Sequence, residues 1–320
     1  MTTTPRDNWA GSLLLVLAAA LIAVGVVAIS SASLSLSEVK FGNEWHHAIR
    51  HLSYLAIGVT LGFVAYLLPL NVWRQTSPWL LMLAFALLVL VLVPGVGRVV
   101  NGSQRWIPLA GFTLQPSEFA KFALVLWLSG YMVRHGEELR TVLRGLLKPI
   151  LVLILFALLL LSEPDFGATV IILGTAFGML FMGGARLIYV LGLVVSAVAI
   201  MAGMILMAPY RMQRLMAYQD PWSDPFGSGF QLIQSLIAYG RGEWLGVGLG
   251  NSVQKLFYLP EAHTDFVFSI WAEETGLVGA VAVIILFAVF VGRIVFMGYR
   301  FLLESREFEA YCCFGFALVF

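Results

Sequence analysis

The chain has 320 residues, of which 60% are hydrophobic and 12% charged, with a mean hydropathy of +0.90 and a net charge of +1. Roughly a quarter of an average soluble chain is charged, so this composition excludes a soluble globular domain and predicts a membrane protein. The balanced charge offers no basic surface to a nucleic acid. Its two cysteines, Cys312 and Cys313, are adjacent and cannot form a disulfide framework.

Apolar segments long enough to cross a membrane recur along the chain. A bilayer core of about 30 Å requires about 20 helical residues. By that measure the sequence predicts eight full spans, at 11–31, 53–70, 77–94, 117–133, 146–162, 166–184, 187–209 and 275–298. A ninth apolar run begins near Ala310 and stops at Phe320, so we expect the sequence to end inside a helix. The predicted fold class is all-α, a polytopic transmembrane helix bundle that forms one membrane domain over residues 1–320.

The distribution of basic residues predicts the orientation of the bundle. With a cytoplasmic N-terminus, the inner connections carry nine Lys or Arg in about 45 residues, and the outer connections carry eight in about 111. Cytoplasmic loops are enriched in basic residues, so we expect the N-terminus inside. The longest outer connection is then 210–274, which is rich in Gly, Pro, Trp and Tyr. A connection of that length is usually functional, and we expect a packed outer subdomain with close backbone packing at Gly246–Gly250.

Charged residues at the start of the fourth predicted span need a partner or a wet cavity, because a lone charge in a bilayer costs about 2.5–3.5 kcal/mol on insertion scales. Glu118 and Lys121 are three residues apart on one helical face, where they can pair, and Ser117 is four residues from Lys121. Two interpretations remain open for this group. It is either an internal ion pair that orients the helix or one wall of a polar cavity.

The alternation of spans places several ionisable residues at the outer end of the bundle. Arg105, Glu163 and Asp165 fall there with the pair at 118 and 121, and so does the whole 210–274 connection. This distribution predicts a polar cleft open to the outside. Asp165 has an alternative role, because a carboxylate before an apolar run can cap the following helix.

The long connection contains Pro260–Phe266, in which Asp265 stands beside His263, the only histidine of this connection. Asp265 is either a first-turn carboxylate of the following helix or a site residue. A lone histidine is more often structural than catalytic, but His263 remains a candidate for a direct role.

Seven segments spread over most of the chain carry a resemblance to a known family: Gly102–Ile107, Leu114–Lys121, Glu163–Gly167, Pro209–Arg211, Asp220–Trp222, Gly229–Ser235 and Gly248–Gly279. In this order they resemble the SEDS family (shape, elongation, division and sporulation), most closely its cell-division branch. The family usually has Gln where this chain has Glu163, and Tyr where it has Phe230. It also has ten spans and a Gly- and Ser-rich motif in the last one, so the resemblance implies a C-terminally incomplete sequence.

The resemblance implies a peptidoglycan glycosyltransferase that polymerises lipid II on the periplasmic face of the bacterial inner membrane during cell division. Asp265 matches the family's essential aspartate, and we expect it to act as the general base of an inverting displacement. The candidate residues for substrate binding or for the cavity wall are Arg105, Gln115, Ser117, Glu118, Lys121, Asp165, Arg211, Arg214, Gln231, Gln234, Ser235, Lys255, His263 and Glu274.

The leaving pyrophosphate requires cationic stabilisation, for which Lys121, Arg105, Arg211, Arg214 and a divalent cation, Mg²⁺ or Mn²⁺, are candidates. No metal-ligand spacing is diagnostic, so no cofactor is assigned. The expected partners are lipid II, the polyprenyl-linked glycan strand, membrane lipids, a class B penicillin-binding transpeptidase and other membrane proteins of the division machinery. Two alternative functions are a lipid II flippase and a non-catalytic division scaffold.

Overall fold

A computed structural model describes residues 5–100, 102–109, 111–141, 144–207 and 209–320; for residues 5–10 and 210 it describes the backbone alone. Within these ranges the chain is predominantly helical. The helices are α1 (Pro5–Phe41), α2 (His46–Leu67), α3 (Leu70–Leu92), α4 (Pro116–Thr141), α5 (Arg144–Ser162), α6 (Phe166–Met182), α7 (Leu187–Leu206), α8 (Pro209–Gln219), α9 (Phe230–Gly242), α10 (Val267–Leu303) and α11 (Glu307–Val319).

Each of the eight predicted spans falls largely within one of these helices. Six helices, α1, α2, α3, α5, α7 and α10, are long and apolar enough to cross a membrane. The predicted spans 117–133 and 166–184 fall in α4 and α6, which do not meet that description. Helix α4 carries the charges of Glu118 and Lys121, and α6 has 17 residues. The described helices therefore support a polytopic membrane protein, while the predicted number of eight crossings stays a prediction.

Two helices are longer than a bilayer is thick. Helix α1 has 37 residues, or about 55 Å at 1.5 Å per residue, and the part of α10 after a break at Gly276, residues 277–303, is about 40 Å long, against a hydrocarbon core of about 30 Å. Helix α1 continues ten residues past the predicted end at 31, and its last part carries Ser31, Ala32 and Ser33, which are buried. Ser31 and Ala32 contact residues of the 210–274 connection, which belongs to the same unit.

A small antiparallel sheet, which the sequence analysis did not predict, occupies the connection between α3 and α4 of the otherwise helical chain. Its strands are β1 (Arg98–Val100), β2 (Ser103–Leu109) and β3 (Phe112–Leu114), in the order β1-β2-β3. Val100 pairs with Ser103, and Ile107 pairs with Leu114. Gly102 and Gly111 have φ of +77° and +95° at the two turns, a conformation that glycine adopts without steric cost. Strands this short leave too little alternation for sequence analysis to detect.

The chain forms two compact units, one of residues 1–66 and 199–290 and one of residues 67–198 and 291–320. In the second unit, α4 packs against α3, α5, α6 and α11. Leu124 and Leu128 of α4 and Phe156 of α5 are almost completely buried there. The Tyr131 hydroxyl of α4 donates a hydrogen bond to the Gly145 carbonyl at 2.8 Å, which ties α4 to the start of α5.

In the first unit, α10 is interrupted at Gly276, which has φ +70° and ψ −170°. The segment 243–248 inserts at this break. The backbone N–H groups of Leu277 and Val278 donate to the carbonyls of Glu243 and Trp244. A Cβ on Gly276 would overlap the Gly246 nitrogen, so the two backbones require glycine. The predicted close packing in the Gly246–Gly250 run is confirmed at Gly246, which has φ +79°.

Candidate active site

Asp265 lies in the turn immediately before α10. The helix begins at Val267, so Asp265 precedes its first turn, and the interpretation as a first-turn carboxylate is wrong. Its side chain is exposed. In the part of the chain that the structure describes, no hydrogen bond or ion pair engages the carboxylate. An exposed and unpaired carboxylate can accept a proton from a bound hydroxyl group.

The turn that carries Asp265 is anchored by apolar side chains. Leu259 and Ala262 are buried against Ile270 of α10 and Ala32 of α1. The N–H groups of Thr264 and Phe266 donate to the Glu261 carbonyl at 3.1 and 3.3 Å. The apolar residues of the turn thus face inward while Asp265 faces outward, which fixes the carboxylate on a packed support.

His263 is half-buried beside the ring of His47, with 5.0 Å between the ring centroids. Burial lowers the pKa of His263 from its ordinary value of 6.5, although the nearby carboxylates of Glu261 and Asp265 act in the opposite direction. The imidazole is therefore neutral at pH 7. A neutral ring next to Asp265 can support the turn without forming a strong ion pair with the carboxylate.

Two adjacent carboxylates lie just before the break in α10. The Glu274 carboxylate pairs with the Lys255 ammonium at 2.9 Å and accepts a hydrogen bond from the Ser31 hydroxyl at 2.7 Å. The Lys255 ammonium also donates to the Ser31 hydroxyl oxygen at 3.1 Å. Glu274, Lys255 and Ser31 are all buried. The predicted site residues Lys255 and Glu274 thus belong to one buried cluster, whose third member comes from α1.

The neighbouring carboxylate of Glu273 binds the same connecting segment. It accepts hydrogen bonds from the Ser252 hydroxyl at 2.5 Å and from the N–H groups of Val253 and Gln254 at 3.2 and 3.4 Å. The Arg241 guanidinium lies 3.5 Å away, with its side chain 44% exposed. Together the two glutamates hold residues 252–255 against the end of the first part of α10.

A cavity of about 460 Å³ lies in the first unit beside α8. Its lining combines one cation, two amides, a hydroxyl group and two aromatic rings: Gln213, Arg214, Phe226, Gly227, Ser228, Phe230, Gln231 and Pro260. The predicted residues Arg214 and Gln231 are exposed here. Such a mixture suits a phosphate group and a sugar ring.

The other predicted residues around this cavity have structural partners. Arg211 donates to the Met204 carbonyl at 3.2 Å. Ser235 is buried and hydrogen-bonds the Ser269 hydroxyl at 2.6 Å, which ties α9 to α10. Gln234 is half-buried on α9. These contacts hold the cavity walls together.

Asp165 is a buried polar hub in the second unit. Its carboxylate accepts from the Ala168 N–H at 3.2 Å and so caps α6. It also accepts from the Ser117 hydroxyl at 3.3 Å and the Gln115 amide at 3.5 Å. The capping interpretation is confirmed, and Ser117 faces Asp165. The predicted residues Gln115, Ser117 and Asp165 are thus brought together.

Arg105 joins this hub from β2. Its guanidinium lies 3.8 Å from Asp165 and donates to the carbonyls of Glu163 and Pro164. Glu163 is 1% exposed, and both of its carboxylate oxygens are buried without a hydrogen-bond partner. Burial, and then the negative charge of Asp165, raises the pKa of Glu163 from 4.5 to about 8, against a smaller effect of Arg105. Glu163 is therefore largely protonated at pH 7.

The predicted pair of Glu118 and Lys121 is confirmed, with 2.8 Å between the charged atoms. The two side chains differ greatly in environment, because Lys121 is 12% exposed and Glu118 is 61% exposed. The pair can therefore present a carboxylate outward and shield an ammonium group beneath it. Its role at a substrate site stays a prediction.

Among the described residues, no group of three or more His, Cys, Asp or Glu side chains is placed to hold a metal ion. These residues thus contain no preformed set of protein ligands for the candidate Mg²⁺ or Mn²⁺. Mg²⁺ commonly binds through one or two carboxylates with substrate phosphates and water, and the exposed Asp265 and Glu118 are carboxylates of that kind.

Sequence reasoning missed Ser31, Ser252 and Glu273 as members of the buried cluster. A weak signal existed, because Ser31 lies in the serine-rich stretch Ser30–Ser37 at the end of the first span, and Glu273 adjoins the predicted Glu274. Neither signal indicates which residue forms the hydrogen bond, because Ser31 and Glu274 are 243 residues apart in the chain.

Comparisons with known proteins agree with the family predicted from the sequence. A family described as "Cell cycle protein" and labelled for FtsW, RodA and SpoVE matches residues 11–320. The "Probable peptidoglycan glycosyltransferase FtsW" of Marinomonas mediterranea is 50% identical over 300 residues, which are 94% of this chain and 74% of the relative.

Two solved structures share the fold. One, described as structural coordination of polymerization and crosslinking by a peptidoglycan synthase complex, is 30% identical with a TM-score of 0.75 and covers 96% of this chain and 82% of that chain. The other is the rod shape determining protein RodA of Thermus thermophilus, 25% identical with a TM-score of 0.64, covering 96% of this chain and 80% of that chain.

Proposed function

We propose that this chain is a peptidoglycan glycosyltransferase which polymerises lipid II at the outer face of the inner membrane during cell division. The chain belongs to the FtsW/RodA/SpoVE family of cell cycle proteins. The relatives that it matches carry that enzymatic name at about 50% identity over most of the chain. The polytopic helices keep the enzyme in the bilayer, where the polyprenyl tail of the substrate resides.

One observation carries the mechanistic part of the proposal: Asp265 is an exposed carboxylate on a turn with a buried apolar base, and no hydrogen bond or ion pair among the described residues engages it. A sugar hydroxyl of lipid II is a weak nucleophile, so a positioned base must take its proton as the new bond forms. Asp265 accepts that proton. The hydroxyl oxygen bonds to the anomeric carbon of the glycan strand, and the bond from that carbon to the polyprenyl pyrophosphate breaks.

An α-linked donor that gives a β-linked product reacts by a single inverting displacement, which needs one base and no covalent sugar intermediate. The pyrophosphate departs with negative charge and requires cationic stabilisation. Arg214 in the cavity beside α8 is the most accessible candidate in the first unit, because Arg211 is engaged with a backbone carbonyl. Lys121 and Arg105 remain candidates in the second unit.

The solved complex that resembles this chain couples polymerization with crosslinking. We infer that this protein likewise acts with a separate transpeptidase, a class B penicillin-binding protein.

The decisive experiment is reconstitution of the purified protein with its transpeptidase partner on lipid II. Wild-type protein should form glycan strands, and Asp265→Asn should reduce strand formation by at least about 100-fold, the loss typical of a missing general base. Asp220→Asn is the matched control, since Asp220 is exposed in the same connection and caps no helix with its side chain.

Normal polymerisation by Asp265→Asn would show that the carboxylate is not the base. A wild-type protein that moves lipid II between leaflets without making glycan would favour the flippase alternative. Either result would reject inverting transfer with Asp265 as the base.

A further inference from the structure

We propose that a buried brace, formed by Ser31, Ser252, Lys255, Glu273 and Glu274, positions Asp265 for the polymerisation reaction. This inference rests on the proposed function, in which Asp265 is the base. The brace members are all buried, and they act through the backbone of the segment that they hold. In this proposal Lys255 and Glu274 are therefore positioning residues.

The brace contains one ammonium and two carboxylate groups, and the Arg241 guanidinium beside Glu273 balances the second carboxylate. Lys255 and Glu274 are 7% and 2% exposed, and Glu273 is 0% exposed. Buried charges are retained only with partners and hydrogen bonds. The Glu274 carboxylate is partnered by the Lys255 ammonium, the Ser31 hydroxyl and the Ser252 N–H. The Glu273 carboxylate is partnered by the Ser252 hydroxyl, two backbone N–H groups and the Arg241 guanidinium. Because so many groups meet here, this arrangement tolerates little displacement of residues 252–255.

The brace closes a noncovalent loop around Asp265. The segment leaves the brace at Lys255, passes through the turn with Asp265, and returns along the first part of α10 to Glu273 and Glu274. Within the loop, the Leu259 N–H donates to the Gln254 carbonyl at 3.0 Å. The short helix from Val267 to Thr275 is the rigid return path, about 13 Å long at 1.5 Å per residue. Both ends of the Asp265 turn are thus fixed.

Helix α1 supports this loop at two consecutive residues. Ser31 bonds to Lys255 and Glu274 in the brace, and Ala32 packs against Leu259, Ala262 and Ile270 beneath the turn. A shift of the brace against α1 would therefore displace the apolar support of Asp265 as well. Displacement of a catalytic group by 1 Å can reduce a rate about 100-fold, so the brace has a direct kinetic consequence.

The test uses single hydroxyl deletions, which leave every charge in place. Ser31→Ala and Ser252→Ala are compared with Ser33→Ala, a matched control, because Ser33 is also buried on α1 and its hydroxyl donates within that helix, to the Ser30 carbonyl. Full-length proteins in lipid nanodiscs are assayed with the transpeptidase partner on lipid II. Amide hydrogen exchange of residues 256–266 is measured on the same samples, together with the thermal unfolding midpoint.

We expect kcat to fall about 3- to 10-fold in Ser31→Ala and Ser252→Ala, with KM within about twofold of wild type, as for displacement of the base without loss of substrate contacts. Exchange of residues 256–266 should accelerate in both variants and stay at the wild-type rate in Ser33→Ala. Ser31→Thr, which keeps the hydroxyl group, should restore both quantities.

Unchanged kcat and unchanged exchange in both alanine variants would overturn the inference. So would a loss of activity that follows only the loss of folded protein, without faster exchange in 256–266. Failure of the proposed function is distinguishable from failure of this inference, because it appears as normal polymerisation by Asp265→Asn. The exchange data test the brace independently of the catalytic role of Asp265.

Discussion

Replacement of Glu163 by glutamine tests the energetics of the buried hub around Asp165. Glu163 is buried with both carboxylate oxygens unpaired, and its pKa is raised from 4.5 to about 8. A carboxyl group with a raised pKa binds its proton more tightly in the folded protein than in the unfolded chain. Its favourable effect is fully present below pH 4.5 and is lost as the pH rises through the folded value of about 8.

The magnitude follows from the displacement of the pKa. One unit corresponds to about 1.4 kcal/mol, so complete ionisation of Glu163 destabilises the fold by up to about 5 kcal/mol. Between pH 5 and pH 7 the free energy of unfolding of the wild type should fall by about 2.5 kcal/mol through this group, and by about 1 kcal/mol more up to pH 9. Glutamine has no charge to ionise, and it is the residue that the resembling family usually has at this position.

Unfolding in mixed micelles by titration with dodecyl sulfate, followed by tryptophan fluorescence at pH 5, 7 and 9, measures this difference. Glu163→Gln should be more stable than wild type at pH 7 and pH 9, with little difference at pH 5. Glu38→Gln is the control, because Glu38 is exposed. Equal pH dependence of Glu163→Gln and wild type would refute the reasoning, since it would mean that Glu163 finds solvent or a partner when it ionises.

Two further substitutions test the fold around the sites. Gly276→Ala should destabilise the protein by about 2–6 kcal/mol, from backbone strain at φ +70° and the contact with Gly246. Gly292→Ala in the same helix, where an added Cβ meets nothing within 4 Å, should change stability by less than about 1 kcal/mol in the same unfolding titration. Asp165→Ala should cost about 2–4 kcal/mol, because it removes the cap of α6 and leaves the buried Ser117 hydroxyl without its acceptor. In that titration Asp165→Asn should retain more stability than Asp165→Ala, and equal losses would contradict the capping role.

Some features of the site follow from local sequence. The spacing of Glu118 and Lys121 places them on one face of α4, and the structure contains that ion pair. Asp165 directly precedes an apolar run, and it caps α6. Both predictions succeed because the geometry of a helix is fixed over three or four residues, so no knowledge of the remaining chain is needed.

Other features could not be predicted in this way. The sheet over Arg98–Leu114 has strands of three and seven residues, too short for a clear alternation. The full length of α1 was also missed, because its last residues are polar serines that hydropathy assigns to a loop. At the predicted end of the span, Ser31 and Ala32 are packed against residues between 255 and 274 of the same unit.

The sequence by itself determined that this chain is a polytopic membrane protein of the SEDS family and that Asp265 is its candidate base, because hydropathy and motif order are local properties of the chain. Only the tertiary structure decided which groups surround the buried charges. A buried Lys255 requires an anion and a hydrogen-bond acceptor, but its sequence does not say that these are Glu274 and Ser31, 19 and 224 residues away. The physical reason is that a desolvated charge requires a partner of opposite charge, whereas the packing of distant segments determines which residue supplies that partner.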